Sequence, residues 1–171
     1  ILQQVWDRLA FRRRVRSGIG VIALACGGLV LPALVAHTQD ASTDAKIIVS
    51  GASGNLGGLT VEALLARGDD VIGADLGGPP ESTIRAFSGH GARLSPVAGD
   101  VRDEAFVHGI FAAHRPDAVV HAAALTPGGV VERSRMAMAV DVNILGTVRV
   151  LEAATVHACA RALFLSSGAV Y

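Results

Sequence analysis

A glycine-rich turn directly after a short apolar run is the feature that most constrains the fold of this chain of 171 residues. Lys46–Ser50 has the sequence KIIVS, and Gly51, Gly54 and Gly57 follow it in the pattern G-x-x-G-x-x-G. Residues 55–67 then carry Leu and Ala at helical spacing. The segment predicts a strand, a tight turn and a helix, which is the unit from which parallel sheets are built.

The same alternation of apolar runs and helical patterns continues along the chain. Strands are predicted at 70–75, within 92–100, at 117–124 and at 162–167, and helices at 81–88, 103–114 and 132–157. Because these runs are apolar throughout, the strands are expected to be covered on both faces. Right-handed crossovers then predict a doubly wound parallel sheet, a Rossmann fold, incomplete at its carboxyl end.

The first 44 residues differ from the rest in composition. The basic stretch FRRRVR at 11–16 precedes an uncharged apolar run at 19–36 and a polar exit, which is the layout of a signal peptide or signal anchor. The run is shorter than the roughly 20 residues that usually span a bilayer. Two interpretations stay open: an appended leader at 1–44, or a real membrane segment. We expect the α/β domain to occupy residues 45–171 in either case. The expected location is cytoplasmic, and the alternative is a protein anchored to the membrane or exported through the amino-terminal segment.

Overall composition excludes several classes of function. Net charge is zero, so nothing points to a nucleic-acid partner. Cys26 and Cys159 lie in unrelated contexts, which argues against a disulfide framework. The histidines have no metal-ligand spacing, so no metal site is predicted. His121, inside an apolar run, is expected to be a buried neutral side chain with a hydrogen bond.

The glycine turn has an acidic counterpart at the end of the next predicted strand. Gly51 permits a tight turn, Gly54 lets a pyrophosphate approach the backbone, and Gly57 lets the helix pack closely. Asp75 ends the strand at 70–75, where a carboxylate accepts hydrogen bonds from ribose hydroxyls and repels a 2′-phosphate. Because Leu76 follows, rather than Arg or Lys, the pattern favours NAD over NADP.

Four motifs in this order resemble the extended short-chain dehydrogenase/reductases, the NAD-dependent epimerase/dehydratase group. Besides the glycine turn, they are GDVRD at 99–103, VVHAAA at 119–124, and VNILGT at 142–147 followed by LEAA at 151–154. The resemblance implies that Asp100 bonds the adenine amino group, with the backbone of Val101 beside it. It also implies cofactor contacts from a larger set: Gly51, Ser53, Gly54, Asn55, Leu56, Gly57, Asp75, Ala122, Ala123, Ala124 and Asn143.

Asn143 has a second interpretation besides the role that the resemblance implies. It lies on the flank of the apolar face of its predicted helix, where a polar side chain needs a partner. A structural hydrogen bond to the backbone near the neighbouring strand would satisfy it. In the family the matching Asn helps to organise the active site, and the two roles are compatible.

The stretch SSGAVY at 166–171 bears on catalysis. The resemblance matches Ser167 to the family's Ser/Thr that binds the reacting oxygen, and Tyr171 to an aromatic other than the proton-transfer tyrosine. No Y-x-x-x-K is present, because Tyr171 and Lys46 are the only tyrosine and lysine. We therefore expect the 171 residues to be the cofactor-binding part of a larger enzyme and to be inactive alone.

The resemblance implies NAD-dependent oxidation of a hydroxyl on a nucleotide sugar or related polyol, followed by epimerisation, dehydration or release. The expected partner is a small-molecule substrate, with homodimerisation of the full-length protein. The alternative is a non-catalytic family member that binds NAD(P) as a sensor or interaction module.

Overall fold

The strands of the central sheet follow the predicted pattern closely. The computed structural model describes residues 20–24, 45–77, 93–125 and 133–165. Its strands are β1 (Gly20–Leu24), β2 (Lys46–Ser50), β3 (Asp70–Asp75), β4 (Leu94–Ala98), β5 (Ala118–His121) and β6 (Arg161–Leu165). All pairings are parallel, in the order β1-β6-β5-β2-β3-β4. The predicted doubly wound parallel sheet is confirmed.

The helices cover the sheet on both faces. They are α1 (Asn55–Arg67), α2 (Glu104–His114), α3 (Arg133–Val140), a π-helical turn (Asp141–Gly146) and α4 (Thr147–Val156). Ile48 and its sheet neighbours Ile72 and Val119 form a core with α2 and α4, whereas Ile47 and Val49 pack with α1 on the other face. Since β2 is buried on both sides, its sequence is apolar at every position from 47 to 49.

The centre of the sheet creates a crevice. From β2 the chain crosses through α1 to β3 on one side, whereas β5 lies on the other side of β2. At such a reversal of strand order, the loops after the two neighbouring strands separate and leave a cleft at their carboxyl ends.

Two predicted elements have different bounds in the structure. The strand expected at 117–124 ends at His121, because its neighbour β2 ends at Ser50 and turns away, leaving no ladder to continue. The helix expected at 132–157 contains the π-helical turn, so it is not a uniform α-helix. The helix predicted at 81–88 lies outside the described residues.

The amino-terminal region contributes one strand. Gly20–Leu24 comes from the apolar run at 19–36 and pairs with β6 through the main chain, at the edge that β6 would otherwise leave open. The rest of that run lies outside the described residues, and the boundary at residue 45 stays a prediction. Across the described ranges, no helix combines the length and apolar character needed to cross a membrane.

Candidate functional site

A cavity of about 390 Å³ opens at the carboxyl ends of four neighbouring strands. The loops directly after β2, β3, β4 and β5 all contribute to its wall. The predicted site residues among its lining are Gly51, Ser53, Gly54, Asp75, Asp100, Val101, Ala122, Ala123 and Ala124. The sheet thus brings together side chains from three separate sequence motifs.

The glycine turn has the tight geometry that its sequence predicts. Gly51 has φ of +77°, a conformation that L side chains rarely adopt, and a Cβ there would lie 2.6 Å from the main-chain nitrogen of Ala123. A Cβ on Gly57 would lie 1.9 Å from the carbonyl oxygen of Gly51. Gly51 therefore permits the tight turn and its close contact with the residues that follow β5. Gly57 allows the first turn of α1 to pack directly against Gly51.

The amino-terminal end of α1 points its main-chain donors at this region. Gly54 is the N-cap residue and has no side chain with which to accept from them, and its own N–H bonds to the Gly51 carbonyl at 3.0 Å. The first turn of the helix carries no acidic residue. Free N–H groups and the positive end of the helix dipole form a suitable position for a phosphate.

Asp75 lies across from this helix end, at the end of β3. Its Oδ2 accepts the main-chain N–H of Ser53 at 2.8 Å, and its Oδ1 accepts that of Leu76 at 2.8 Å. These two bonds orient the carboxylate against the glycine turn. A carboxylate has about four acceptor positions, so each oxygen can accept a further bond from a ligand hydroxyl.

Asp100, at the end of β4, is bound by a residue that the sequence analysis did not single out. Arg102 donates its main-chain N–H to Oδ1 at 2.9 Å, and its Nε and Nη2 donate to Oδ2 at 2.8 and 2.5 Å. The hydrogen bond from Arg102 is the main reason that the pKa of Asp100 lies below its usual value. The carboxylate is therefore held ionised and in one orientation.

Asn143 clamps the loop that leaves β5. Its Oδ1 accepts the N–H of Leu125 at 2.7 Å and its Nδ2 donates to the carbonyl of Leu125 at 3.0 Å. The side chain is thus engaged by the backbone just beyond the strand, which matches the structural interpretation of this residue. Asn143 is not among the residues that line the cavity, but the residue it clamps is.

His121 is buried at the centre of a hydrogen-bond chain. Its Nδ1 lies 2.6 Å from Oγ of Ser50, and its Nε2 lies 3.0 Å from Oγ1 of Thr147. Thr147 donates its hydroxyl proton to the Asn143 carbonyl at 2.8 Å, so it must accept from His121. This assigns the proton to Nε2 and makes Nδ1 the acceptor from Ser50. Burial lowers the pKa of His121 to about 4, which confirms a neutral histidine.

Several lining residues were not predicted as site residues. They are Ala74, Leu76, Gly99, Arg102, Phe106, Leu125, Met138 and Val142. Arg102 could have been found from its place inside the GDVRD motif, and Met138 with Val142 from their spacing of four on a helix. Asn55, Leu56 and Gly57 begin α1 beside the cavity without lining it. Ser167 and Tyr171 lie outside the described residues.

Within the described ranges, no group of three or more His, Cys, Asp or Glu side chains could hold a metal ion. The metal-free site predicted from the histidine spacing stays a prediction. In the same part of the chain Cys159 is a buried free cysteine whose thiol contacts the carbonyl of Arg161 at 3.3 Å, and burial raises its pKa.

Comparison with known sequences connects this geometry to enzymes. The sequence model of the NAD dependent epimerase/dehydratase family matches residues 47–171. UDP-glucose 4-epimerase 4 of Oryza sativa subsp. japonica is 38% identical over 136 residues, which cover 77% of this chain and 37% of that protein. UDP-glucose 4-epimerase of Erwinia amylovora is 34% identical over 128 residues, covering 74% of this chain and 38% of that protein. The chain spans less than two fifths of the length of these curated relatives.

Solved structures give the same result. UDP-glucose 4-epimerase of Bifidobacterium longum, in complex with NAD+ and UDP, superposes with a TM-score of 0.66 at 31% identity, over 74% of this chain and 38% of that one. The UDP-glucose 4-epimerase of Thermus thermophilus, in complex with NAD, has a TM-score of 0.61 at 30% identity, over 72% of this chain and 38% of that one.

Proposed function

Because the chain belongs to the NAD-dependent epimerase/dehydratase family, as its four motifs predicted, we propose that it forms the NAD-binding part of an enzyme that acts on nucleotide sugars. The observation that carries the proposal is the arrangement of the glycine turn and Asp75. Gly51 in its left-handed conformation delivers the chain into an uncapped helix end, and the Asp75 carboxylate lies hydrogen-bonded to the same turn. A phosphate position and a ribose position thus adjoin each other.

The proposed phosphate position is the amino-terminal end of α1. The first turn of the helix, after the N-cap residue Gly54, carries the main-chain N–H groups of Asn55, Leu56 and Gly57. They would donate to the pyrophosphate oxygens, while the absence of a side chain at Gly54 allows close approach.

The proposed ribose position is Asp75. Since each oxygen already accepts one main-chain N–H, the carboxylate is held in place before any ligand binds. It would accept hydrogen bonds from the adenosine ribose hydroxyls and repel a 2′-phosphate through its charge. This difference supports NAD, rather than NADP, as the cofactor.

The remaining contacts would lie along the exits of β4 and β5. Asp100 would accept from the adenine amino group, and the small side chains of Ala122, Ala123 and Ala124 would leave room for the central part of the dinucleotide. Bound NAD supplies the hydride acceptor for oxidation of a substrate hydroxyl. Ser167 is proposed to hold the substrate oxygen and Asn143 to support the site through the Leu125 loop.

The substrate class is proposed from the relatives. The enzymes that this chain resembles are UDP-glucose 4-epimerases, and one solved neighbour holds UDP with NAD+. A nucleotide sugar is the corresponding substrate for the full-length protein, with the proton-transfer Tyr and Lys contributed from outside these 171 residues.

We also propose that the full-length protein is a homodimer located in the cytoplasm. The support for a dimer is an exposed apolar stripe at helical spacing on α3, the π-helical turn and α4, formed by Met136, Val140, Ile144 and Val148. The support for a cytoplasmic location is that the two cysteines of the sequence, Cys26 and Cys159, lie in unrelated contexts, which argues against a disulfide framework. An anchoring role of residues 19–36 is the alternative, and fractionation of cells that express the intact gene distinguishes the two.

Calorimetric titration of the full-chain protein with NAD and with NADP tests the cofactor assignment. We expect saturable binding of NAD and much weaker binding of NADP. A preference for NADP, or no binding of either, would overturn the assignment. Conversion of a UDP-hexose by the NAD-loaded full-length protein then separates an enzyme from a non-catalytic NAD-binding module.

A further inference from the structure

The loop after β4 is held by a set of contacts that the dinucleotide motifs do not explain. Arg102 donates three hydrogen bonds to the Asp100 carboxylate, one from its main chain and two from its guanidinium. Because the guanidinium is planar and its donors point in fixed directions, it restrains both the position and the plane of a carboxylate. Both residues line the cavity.

The same arginine also connects this loop to the helix that follows β5. The charge of Asp141, the first residue of the π-helical turn, acts on Arg102, and the charge of Arg149 on α4 acts on Asp100. Asp141 and Arg149 are themselves paired at 3.2 Å. Four charges of alternating sign therefore link the exit of β4 to the helix across the cavity edge.

The loop after β4 also packs closely against the π-helical turn. A Cβ on Gly146 would lie 3.0 Å from Cγ2 of Val101, so the loop rests on the π-helical turn without spare room. Val101 lines the cavity between Asp100 and Arg102. The loop is thus fixed on one side by packing and on the other by the arginine fork.

From these contacts we propose that Arg102 is a positioning residue that sets base selectivity, by holding Asp100 ready to accept a hydrogen bond from an exocyclic amino group. The proposal rests on the proposed function, in which Asp100 faces the adenine. Purines with an amino group at the 6-position are favoured, whereas a 6-oxo purine presents an acceptor to the fixed carboxylate and is rejected. Without the guanidinium of Arg102, the Asp100 carboxylate can rotate away from the oxo group, and the selectivity for 6-amino purines falls.

The test compares binding of NAD with binding of nicotinamide hypoxanthine dinucleotide, in which an oxo group replaces the adenine amino group and N1 of the base carries a proton. The full-chain protein should bind NAD at least about tenfold more tightly, as expected for a hydrogen bond to a charged group. In Arg102→Met, which keeps an unbranched apolar side chain and removes the guanidinium, the ratio of the two dissociation constants should fall toward one. Arg102→Lys should give an intermediate ratio.

A matched control is Arg161→Met, because Arg161 is exposed at the opposite end of the sheet, where β6 begins. It should keep the wild-type ratio. If Arg102→Met fails to fold, as judged by its melting curve, the ratio in Arg102→Lys carries the test. An unchanged ratio in the Arg102 variants, with both dinucleotides weakened equally or not at all, overturns the positioning role and leaves the proposed function standing. A wild-type protein that binds neither dinucleotide overturns the proposed function and this inference together, whereas one that binds both equally overturns this inference alone.

Discussion

The main-chain N–H of Ser53 donates a 2.8 Å hydrogen bond to Oδ2 of Asp75, so the glycine turn itself orients the carboxylate at the end of β3. The two residues come from different elements, and neither needs a ligand to take its place. The Asp75 carboxylate is therefore already oriented before a dinucleotide binds.

Asp75→Asn tests whether the charge of this side chain selects the cofactor. The amide oxygen can still accept one main-chain N–H, but the negative charge that repels a 2′-phosphate is gone. We expect NAD binding to weaken by about tenfold and the preference over NADP to shrink by a similar factor, since a hydrogen bond to a charged group contributes about 1.5–3 kcal/mol. Titrations of the variant with both dinucleotides measure this. An unaltered NAD/NADP ratio would show that Asp75 does not contact the ribose.

Gly51→Ala should damage both stability and dinucleotide binding. Alanine at position 51 would have to adopt a left-handed backbone conformation, at a cost of about 1 kcal/mol. Its Cβ would also clash with the main chain of Ala123. Urea unfolding and NAD titration measure the two effects. Gly109→Ala is the matched control: Gly109 is exposed inside α2 with open space around its Cβ position. It should gain about 0.5–1 kcal/mol and leave binding unchanged. Equal behaviour of the two variants would contradict the requirement for glycine at position 51.

Stability should depend on pH through His121. Its pKa is about 4 in the folded protein and 6.5 in its ordinary state, so between these values the unfolded chain binds more protons than the folded one. The stabilisation is complete above pH 6.5, is lost as the pH falls from 6.5 toward 4, and changes no further below that. The upper limit of the loss is about 3 kcal/mol. Urea unfolding at pH 7 and at pH 5 measures the difference.

His121→Gln removes the titrating group while keeping a polar side chain. The variant should be less stable at pH 7 and should show a flatter pH dependence between pH 5 and 7. A slope equal to that of the wild type would assign the effect to other groups.

Thr147→Val should break the buried hydrogen-bond chain at one point. Thr147 accepts from Nε2 of His121 and donates to the Asn143 carbonyl, so its loss leaves a buried N–H without an acceptor, at a cost of about 1–3 kcal/mol. Thr147→Ser should restore most of that. Thr155→Val is the comparison: Thr155 makes the same bond to the carbonyl four residues earlier but is exposed. If both valine variants unfold at the same urea concentration, the chain through His121 is not stabilising.

The parts of the fold that were predicted correctly are those that local signals determine. The bounds of β2, α1 and β3 agree with the structure, because apolar runs, helical spacing and glycines act over a few residues. The end of β5 was predicted too late, since a strand ends where its neighbours end, and Ser50 of β2 is far from His121 in sequence. The π-helical turn was also missed, because its residues have ordinary helical spacing.

The sequence by itself determined the class of sheet, the glycine turn with Gly51 at its start, and an acid at the end of the next strand. Steric restrictions on φ and the periodicity of apolar side chains are local, so they can be recognised without a partner. Only the tertiary structure decided which groups hold that site. The bond from Ser50 to His121 joins residues 71 positions apart, and the clamp from Asn143 to Leu125 joins residues 18 apart. Such pairs form because buried polar groups must find partners, and the packing of the sheet determines which partners are within reach.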